Sequence, residues 1–298
     1  MTTDRAAGTL TVAQVLDDLA RAFTSHGVAE PASEAREIVA ALFDVPRFWP
    51  VTNGSADVDA ATVERAMAAA RKRIQGAPLA YAVGRAPFRH LTLDVDERVL
   101  IPRPETEQLV DLVLNEMANR GGGVAIDVGT GSGAIAIALA TEGRFSRVYG
   151  TDISRDAVDV ATHNAKLCAG FLRAPVEILH GSLIGPLADV RARVVVSNPP
   201  YIATGEAAAL PASVRDWEPA VALYSGADGM AATARLVREA ADVLAPGGLL
   251  AMEVDMRRAS LAAELVLRER RFRSVRIELD LTGRERFVLA RRQEKDPG

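Results

Sequence analysis

Apolar residues recur at helical spacing through the first quarter of the chain, and from Val124 onward give way to short apolar runs between amphipathic stretches. Val12, Val15, Leu16, Leu19 and Phe23 lie on one face of a predicted helix, which Gly27 closes. Pro31 opens a second, with Ala35, Ile38, Val39 and Leu42 on its apolar face. A third is expected from about Ala60 to Ile74, ended by Gly76 and Pro78. No constellation of chemistry-bearing side chains accompanies these helices. The pattern predicts a packing or docking domain over residues 1–77.

Residues 78–298 read differently. Phe88, Leu91, Leu93 and Val95 suggest a short hairpin after Gly84. Pro102 and Pro104 then precede a helix whose first turn carries Glu105 and Glu107, where the helix dipole favours negative charge. Composition alone reads Pro78 to Val110 as an interdomain linker. Beyond it, VAIDV (124–128), RVYGT (147–151), VEILH (176–180) and VVVS (194–197) are predicted strands. GAIAIALA (133–140) and SRDAVDVATHNAKL (154–167) are predicted helices between them. A helix around Met230 to Leu244, a turn at PGG (246–248), a strand at LLAMEV (249–254) and a helix from Leu261 to Arg270 follow. SVRIEL (274–279) and RFVLARR (286–292), joined by a short loop, predict an antiparallel hairpin. Alternation of this kind predicts a mostly parallel sheet with helices on both faces. The tail RRQEKDPG is expected to be disordered.

Composition narrows the classes. Of 298 residues, 49% are hydrophobic and 25% charged, with a net charge of -4, which argues against a general nucleic-acid binder. Arg89, Arg257, Arg258, Arg268, Arg270, Arg271 and Arg273 are accordingly expected on solvated helix faces. Cys168 is the single cysteine, so no intrachain disulfide forms, which fits a reducing cytoplasm. Four scattered histidines show no ligand spacing, and no metal site is expected. The N-terminal residues lack a signal-peptide core, and the longest apolar run, Ala134 to Ala140, is too short to span a bilayer. The expectation is a cytoplasmic protein without membrane contact.

Two segments carry the chemistry. DVGTGSGA (127–134) joins the first strand of the sheet to its first helix, where glycines let a backbone turn tightly and approach a ligand. Asp152 ends the second strand, where a carboxylate can bind both hydroxyls of a ribose; capping of the next helix is its other reading. NAD and S-adenosylmethionine both present an adenosine ribose. The apparent antiparallel hairpin and the absence of an evident hydride-transfer acid or base favour S-adenosylmethionine. So does VVVSNPPYIA (194–203). There a buried strand stops at two prolines that cannot donate to a ladder, and Pro199 restricts Asn198 to an extended conformation.

DVGTGSGA, GTDIS, SNPPYI and LTGRERFVLARR together resemble the HemK/PrmC family of class I methyltransferases dependent on S-adenosylmethionine. The PLAYAVG and LIPRPETE stretches separate it from adenine-methylating enzymes that share Asn-Pro-Pro-Tyr. The resemblance implies a Rossmann-like, mostly parallel sheet plus a small N-terminal helical domain. It implies methylation of the side-chain amide of the glutamine in the Gly-Gly-Gln motif of peptide-chain release factors. It also moves the 78–110 segment beside the active site. Gly129, Thr130, Gly131, Ser132, Gly133, Asp152 and Asn198 would contact the cofactor. Asn198, Pro199, Pro200 and Tyr201 would hold the substrate, with Asn198, Pro199 and Tyr201 catalytic. Ser182 and Leu183 stand where the family often has an Asp and an aromatic near adenine, so adenine packing would rest on apolar contact. Release factors are the expected partners. Methylation of a ribosomal-protein glutamine or of nucleic-acid adenine, or a non-enzymatic cofactor-binding adaptor, are the competing readings.

Overall fold

The computed structural model describes residues 10–120 and 122–294, and the chain divides into two compact units. The first runs to Arg85 and takes in Ala212–Trp217; the second comprises Ala86–Pro211 and the residues from Glu218 onward. The expected boundary after Ala77 thus falls inside the first unit, which also reclaims a short segment from much later in the chain.

In the first unit, helices α1 (Val12–Ser25), α2 (Pro31–Phe43) and α3 (Ala60–Ile74) bury Val12, Val15, Leu19, Phe23, Ile38 and Val39. Thr11 caps α1 in a capping box with Gln14, and Asp59 caps α3 by accepting from Thr62 N at 2.8 Å. Arg73 of α3 pairs with Glu34 of α2 at 2.5 Å, both side chains about four-fifths buried.

The second unit is a seven-stranded sheet. Its strands are β1 (Val124–Val128), β2 (Arg147–Asp152), β3 (Val176–His180), β4 (Ala192–Ser197), β5 (Leu244–Glu253), β6 (Phe272–Leu279) and β7 (Glu285–Arg292). The strand order is β6-β7-β5-β4-β1-β2-β3. All pairs are parallel except those of β7, which is antiparallel to β5 and β6. The expected sheet class and terminal hairpin are both present.

Neighbouring residues of the central strands feed opposite cores, as a two-sided sheet requires. Ala125, Val194, Val196, Leu249 and Ala251 pack toward α4 (Pro104–Met117) and α5 (Ala134–Glu142). Ile126, Val195, Leu250 and Met252 pack toward α6 (Ala231–Val243) and α7 (Ala259–Arg268).

Two local expectations change. The PGG stretch lies within β5 rather than ahead of it. Its partner strand advances from Ala192 to Val194 while β5 advances from Leu244 to Leu249, so the glycines bulge out of a ladder that continues on both sides. Arg291 and Arg292, read both as the end of the RFVLARR strand and as the start of the tail, belong to β7. Arg291 is buried and pairs with Glu116 of α4, and Arg276 of β6 reaches the same carboxylate at 2.5 Å. Residues 295–298 lie outside the described residues. Among the described residues, no helix is long and apolar enough to cross a membrane.

Candidate active site

The chain runs outward from β1 to β2 and β3, then returns to place β4 on the other side of β1. Loops leaving the C-terminal ends of β1 and β4 therefore diverge, and an open α/β sheet binds its ligands in that crevice. Val128 stands opposite Ser197 in the ladder, so Gly129 and Asn198 begin neighbouring loops. Between them opens a cavity of about 350 Å³.

The loop after β1 is built around buried Asp127. Its Oδ2 accepts from Thr130 Oγ1 at 2.6 Å and from Ala136 N at 3.1 Å. Its Oδ1 is buried without a hydrogen-bond partner among the described residues. Burial pushes this carboxyl up to about 7, against the pull of the Thr130 and Ala136 bonds. Gly131 has φ +54, and a Cβ there would project into open space; Gly129 and Gly131 both line the cavity. Thr130, Ser132 and Gly133 build the loop from behind: Thr130 is bonded to Asp127, Gly133 caps α5, and Ser132 O accepts from Asn164 Nδ2 at 2.9 Å. Asn164 is fully buried and exchanges hydrogen bonds with the backbone N and O of Asp94, tying the hairpin to the glycine loop.

Asp152 ends β2 at the cavity wall. Its Oδ2 accepts from Gly131 N and its Oδ1 from Ser154 N, each at 2.9 Å. Burial raises its pKa, and the backbone bonds from Ser154 and Gly131 oppose that rise. Ser154, not Asp152, caps the following helix, Arg155–Leu167, through Ala157 N. Each carboxylate oxygen keeps a further lone pair beyond its backbone bond.

At the far side of the cavity stand Asn198 and Pro200. Asn198 donates from Nδ2 to Thr106 Oγ1 at 3.1 Å, and Thr106 Oγ1 donates to Glu253 Oε2 at 2.7 Å. Thr106 lies in the first turn of α4 and Glu253 ends β5. Glu253 is 1% exposed, and burial pushes its carboxyl up to about 7. Pro199 is buried behind Asn198. Burial, and then the charge of Glu253, push the Tyr201 phenol up to about 12, so it stays neutral at ordinary pH.

The 78–110 segment is no mere linker. Arg98, Val99 and Leu100 line the cavity, and Thr106 holds Asn198. Composition misses this because the segment acts through contacts distant in sequence.

The loop after Tyr201 is tied down by hydrogen bonds. Ile202 N donates to Leu223 O, and Ser225 N to Ile202 O. Arg258 is buried, with Nε donating to Asp228 O at 2.9 Å and Nη2 to Glu206 at 2.8 Å. Arg257 pairs with Glu206 and Asp255. The solvated-face expectation is therefore wrong for Arg258, which clamps this loop. It is also wrong for Arg89, whose largely buried guanidinium pairs with Glu142 and Asp111. Arg268, Arg271 and Arg273 are ion-paired, with Glu264, Asp242 and Glu294.

Comparison with known proteins decides the family. Residues 106–213 match the model of the methyltransferase small domain, and residues 14–84 that of the PrmC N-terminal domain. A release factor glutamine methyltransferase from Moorella thermoacetica is 36% identical, covering 96% of this chain and all of that one. Another, from Deinococcus radiodurans, is 36% identical over 90% of this chain and 94% of that one. The chain belongs to the release factor glutamine methyltransferase family.

Among solved structures, the hMettl16 catalytic domain in complex with a MAT2A 3'UTR hairpin is 16% identical with a TM-score of 0.56, over 82% of this chain and 85% of that one. A Pyrococcus furiosus methyltransferase is 20% identical with a TM-score of 0.51, over 68% and 89%. These share the class I methyltransferase fold.

As a member of the release factor glutamine methyltransferase family, the chain is an enzyme, and its cavity fits S-adenosylmethionine. Asp152 offers paired acceptors suited to a ribose diol, and Gly129 and Gly131 leave room where side chains would intrude. Ile153, Leu183, Val221 and Ala222 supply apolar wall for a base. Ser182 accepts from Arg235 at 3.3 Å, and Leu183 has φ +48.

Gly229 has φ +78, and a Cβ there would stand 2.4 Å from Tyr201 O and 2.6 Å from Arg258 Nε. Gly229→Ala is expected to destabilise the chain by about 1–3 kcal/mol. Urea unfolding reads this as a lowered midpoint, and an unchanged midpoint would contradict the close approach.

The raised pKa of Asp127 implies a second outcome. Between its ordinary 3.8 and about 7, the folded chain binds a proton that the unfolded chain has lost. Its contribution to stability is therefore greatest at low pH and declines as pH rises through that window. Asp127→Asn should gain stability relative to the parent chain as pH rises from ~4 to ~7, measured as the difference in Tm. A difference independent of pH would contradict the buried charge.

Proposed function

We propose that this enzyme transfers the methyl group of S-adenosylmethionine to the side-chain amide nitrogen of the glutamine in the Gly-Gly-Gln motif of peptide-chain release factors. The observation that carries this reading is Asn198 itself. It borders the cavity across from Asp152, and its Nδ2 is engaged by Thr106, which turns Oδ1 the other way.

A carboxamide nitrogen is a weak nucleophile because its lone pair is delocalised into the carbonyl. Asn198 Oδ1 and the carbonyl of Pro199 serve as two acceptors for its hydrogens, which aims the lone pair and favours charge on nitrogen. The Pro-Pro backbone keeps both acceptors from relaxing away. When bound, S-adenosylmethionine supplies a methyl group made electrophilic by a sulfonium. Positioning of this kind contributes up to about 7–11 kcal/mol. Tyr201, held neutral, serves as a ring against the planar amide and not as a base. The amide proton lost after methyl transfer passes to water. Asp152 holds the ribose, and the glycine loop packs along the cofactor. The helical unit, which matches the PrmC N-terminal domain, docks the protein substrate.

The direct test is incubation with S-adenosylmethionine and purified release factor, followed by peptide mass spectrometry. A methyl group on the Gly-Gly-Gln glutamine is expected. Its appearance only on a ribosomal protein or on nucleic-acid adenine would overturn the proposal. Asp152→Ala should weaken cofactor binding at least about tenfold, since charge-assisted hydrogen bonds contribute about 1.5–3 kcal/mol; calorimetric titration checks this, and unchanged affinity would remove Asp152 from the cofactor site. Asn198→Ala and Asn198→Asp should lower kcat at least about 100-fold, as loss of a positioned polar group does elsewhere. Tyr201→Phe should be milder. Single-turnover rates decide, and a wild-type rate in Asn198→Ala would exclude Asn198 from holding the substrate amide.

A further inference from the structure

Glu253 sits two hydrogen bonds from the cavity, with Thr106 between it and Asn198. All three come from different parts of the fold: the end of β5, the first turn of α4 and the loop after β4. Thr106 and Glu253 are both buried, so water does not compete for their bond. A hydroxyl carries a single proton. While Thr106 gives that proton to Glu253, its oxygen offers Asn198 only lone pairs. Only the NH2 end of the Asn198 amide can then face Thr106.

We propose that Glu253 is a positioning residue that sets the polarity of Asn198 through Thr106. Ionised Glu253 holds Asn198 with its NH2 inward and its Oδ1 free to accept from a substrate amide. Protonated Glu253 instead donates to Thr106 Oγ1. The Thr106 proton then turns toward Asn198 and favours the flipped amide, which presents NH2 to a substrate NH2. The proton comes from solvent, and no covalent bond changes. This inference rests on the assignment of Asn198 to the substrate amide.

The surroundings of Glu253 allow both states. Arg286 of β7 and Arg103, just ahead of α4, favour its charge; Glu105 of α4 opposes it, and the neutral phenol of Tyr201 stands nearby. Burial outweighs the cations and brings the carboxyl up to about 7. Ionised Glu253, and with it the productive Asn198 orientation, gains population as pH rises through neutrality.

The test has one readout that does not depend on turnover. In the full chain labelled with nitrogen-15, the side-chain NH2 signals of Asn198, assigned by their loss in Asn198→Ala, should titrate near pH 7. The titration should vanish in Glu253→Gln. In Thr106→Val the signals should shift and cease to titrate, and Thr106→Ser, which keeps the hydroxyl, should restore the wild-type behaviour. In single-turnover methyl transfer, the rate of the parent chain should rise with pH through about 7 and that of Glu253→Gln should not. Thr106→Val should lower kcat by about tenfold or more, the loss of one buried charge-linked hydrogen bond, with cofactor affinity unchanged and with recovery in Thr106→Ser. Asn198 signals that do not titrate, or that titrate equally in Glu253→Gln, overturn the relay whatever the activity. If the signals behave as described while release factors go unmethylated, the relay stands and the proposed function falls.

Discussion

Ser197 Oγ donates to the carbonyl of Val128 across 2.6 Å, pinning the last residues of two parallel strands side by side. Much of the site depends on that adjacency. The chain leaves one strand through glycines and the other through prolines, so one loop can fold closely over a ligand while the other cannot move away from it. A shift of one residue in this register would turn Asp127 and Val128 to the opposite faces of the sheet. Asp127 would then lose Thr130 and Ala136, which shape the glycine loop. The flanking strands inherit the same alignment: Val196 pairs with Asp127 on one side and with Ala251 on the other.

Around this frame the chain accepts several buried charges, and they are not equivalent. Arg258 and Arg89 have carboxylate partners and lock loops. Such pairs contribute little net stability but are costly to break once formed. Among the described residues, Asp127 and Glu253 have no ion-pair partner and hold their places through hydroxyl and amide donors. Both stand near the C-terminal ends of their strands, behind the residues that line the cavity, where a carboxyl near neutrality can respond to its surroundings. A buried acid distorts the stability of a domain but gives the site a group that changes charge where surface carboxylates do not.

Much of this was legible because it lies in short, contiguous stretches. The glycine loop and the acid that ends β2 are recognisable from their places after predicted strands, and Asn-Pro-Pro-Tyr from its abrupt end to a β-branched run. The relay was not, since Thr106 and Glu253 meet across 147 residues of sequence. One signal was present: a single acid inside LLAMEV, an otherwise apolar strand, asks for a buried partner. Arg258 reads as surface because its acidic partner, Glu206, arrives from a loop with no periodicity of its own. The PGG stretch misled for another reason. Its residues have turn chemistry, yet a bulge uses the same backbone conformations without ending the ladder.

The grouping of Ala212–Trp217 with the helical unit bears on how such a chain can be taken apart. That unit is not a bead strung ahead of the catalytic domain, because the polypeptide contributes to it a second time, after Asn-Pro-Pro-Tyr has already been made. A single recombination point near Arg85 would carry off the helices and leave their last piece behind, stranded in the loop that follows Asn-Pro-Pro-Tyr. Shuffling this module between enzymes demands two cuts, the second inside the loop after Asn-Pro-Pro-Tyr. The helical unit and that loop must therefore be inherited together.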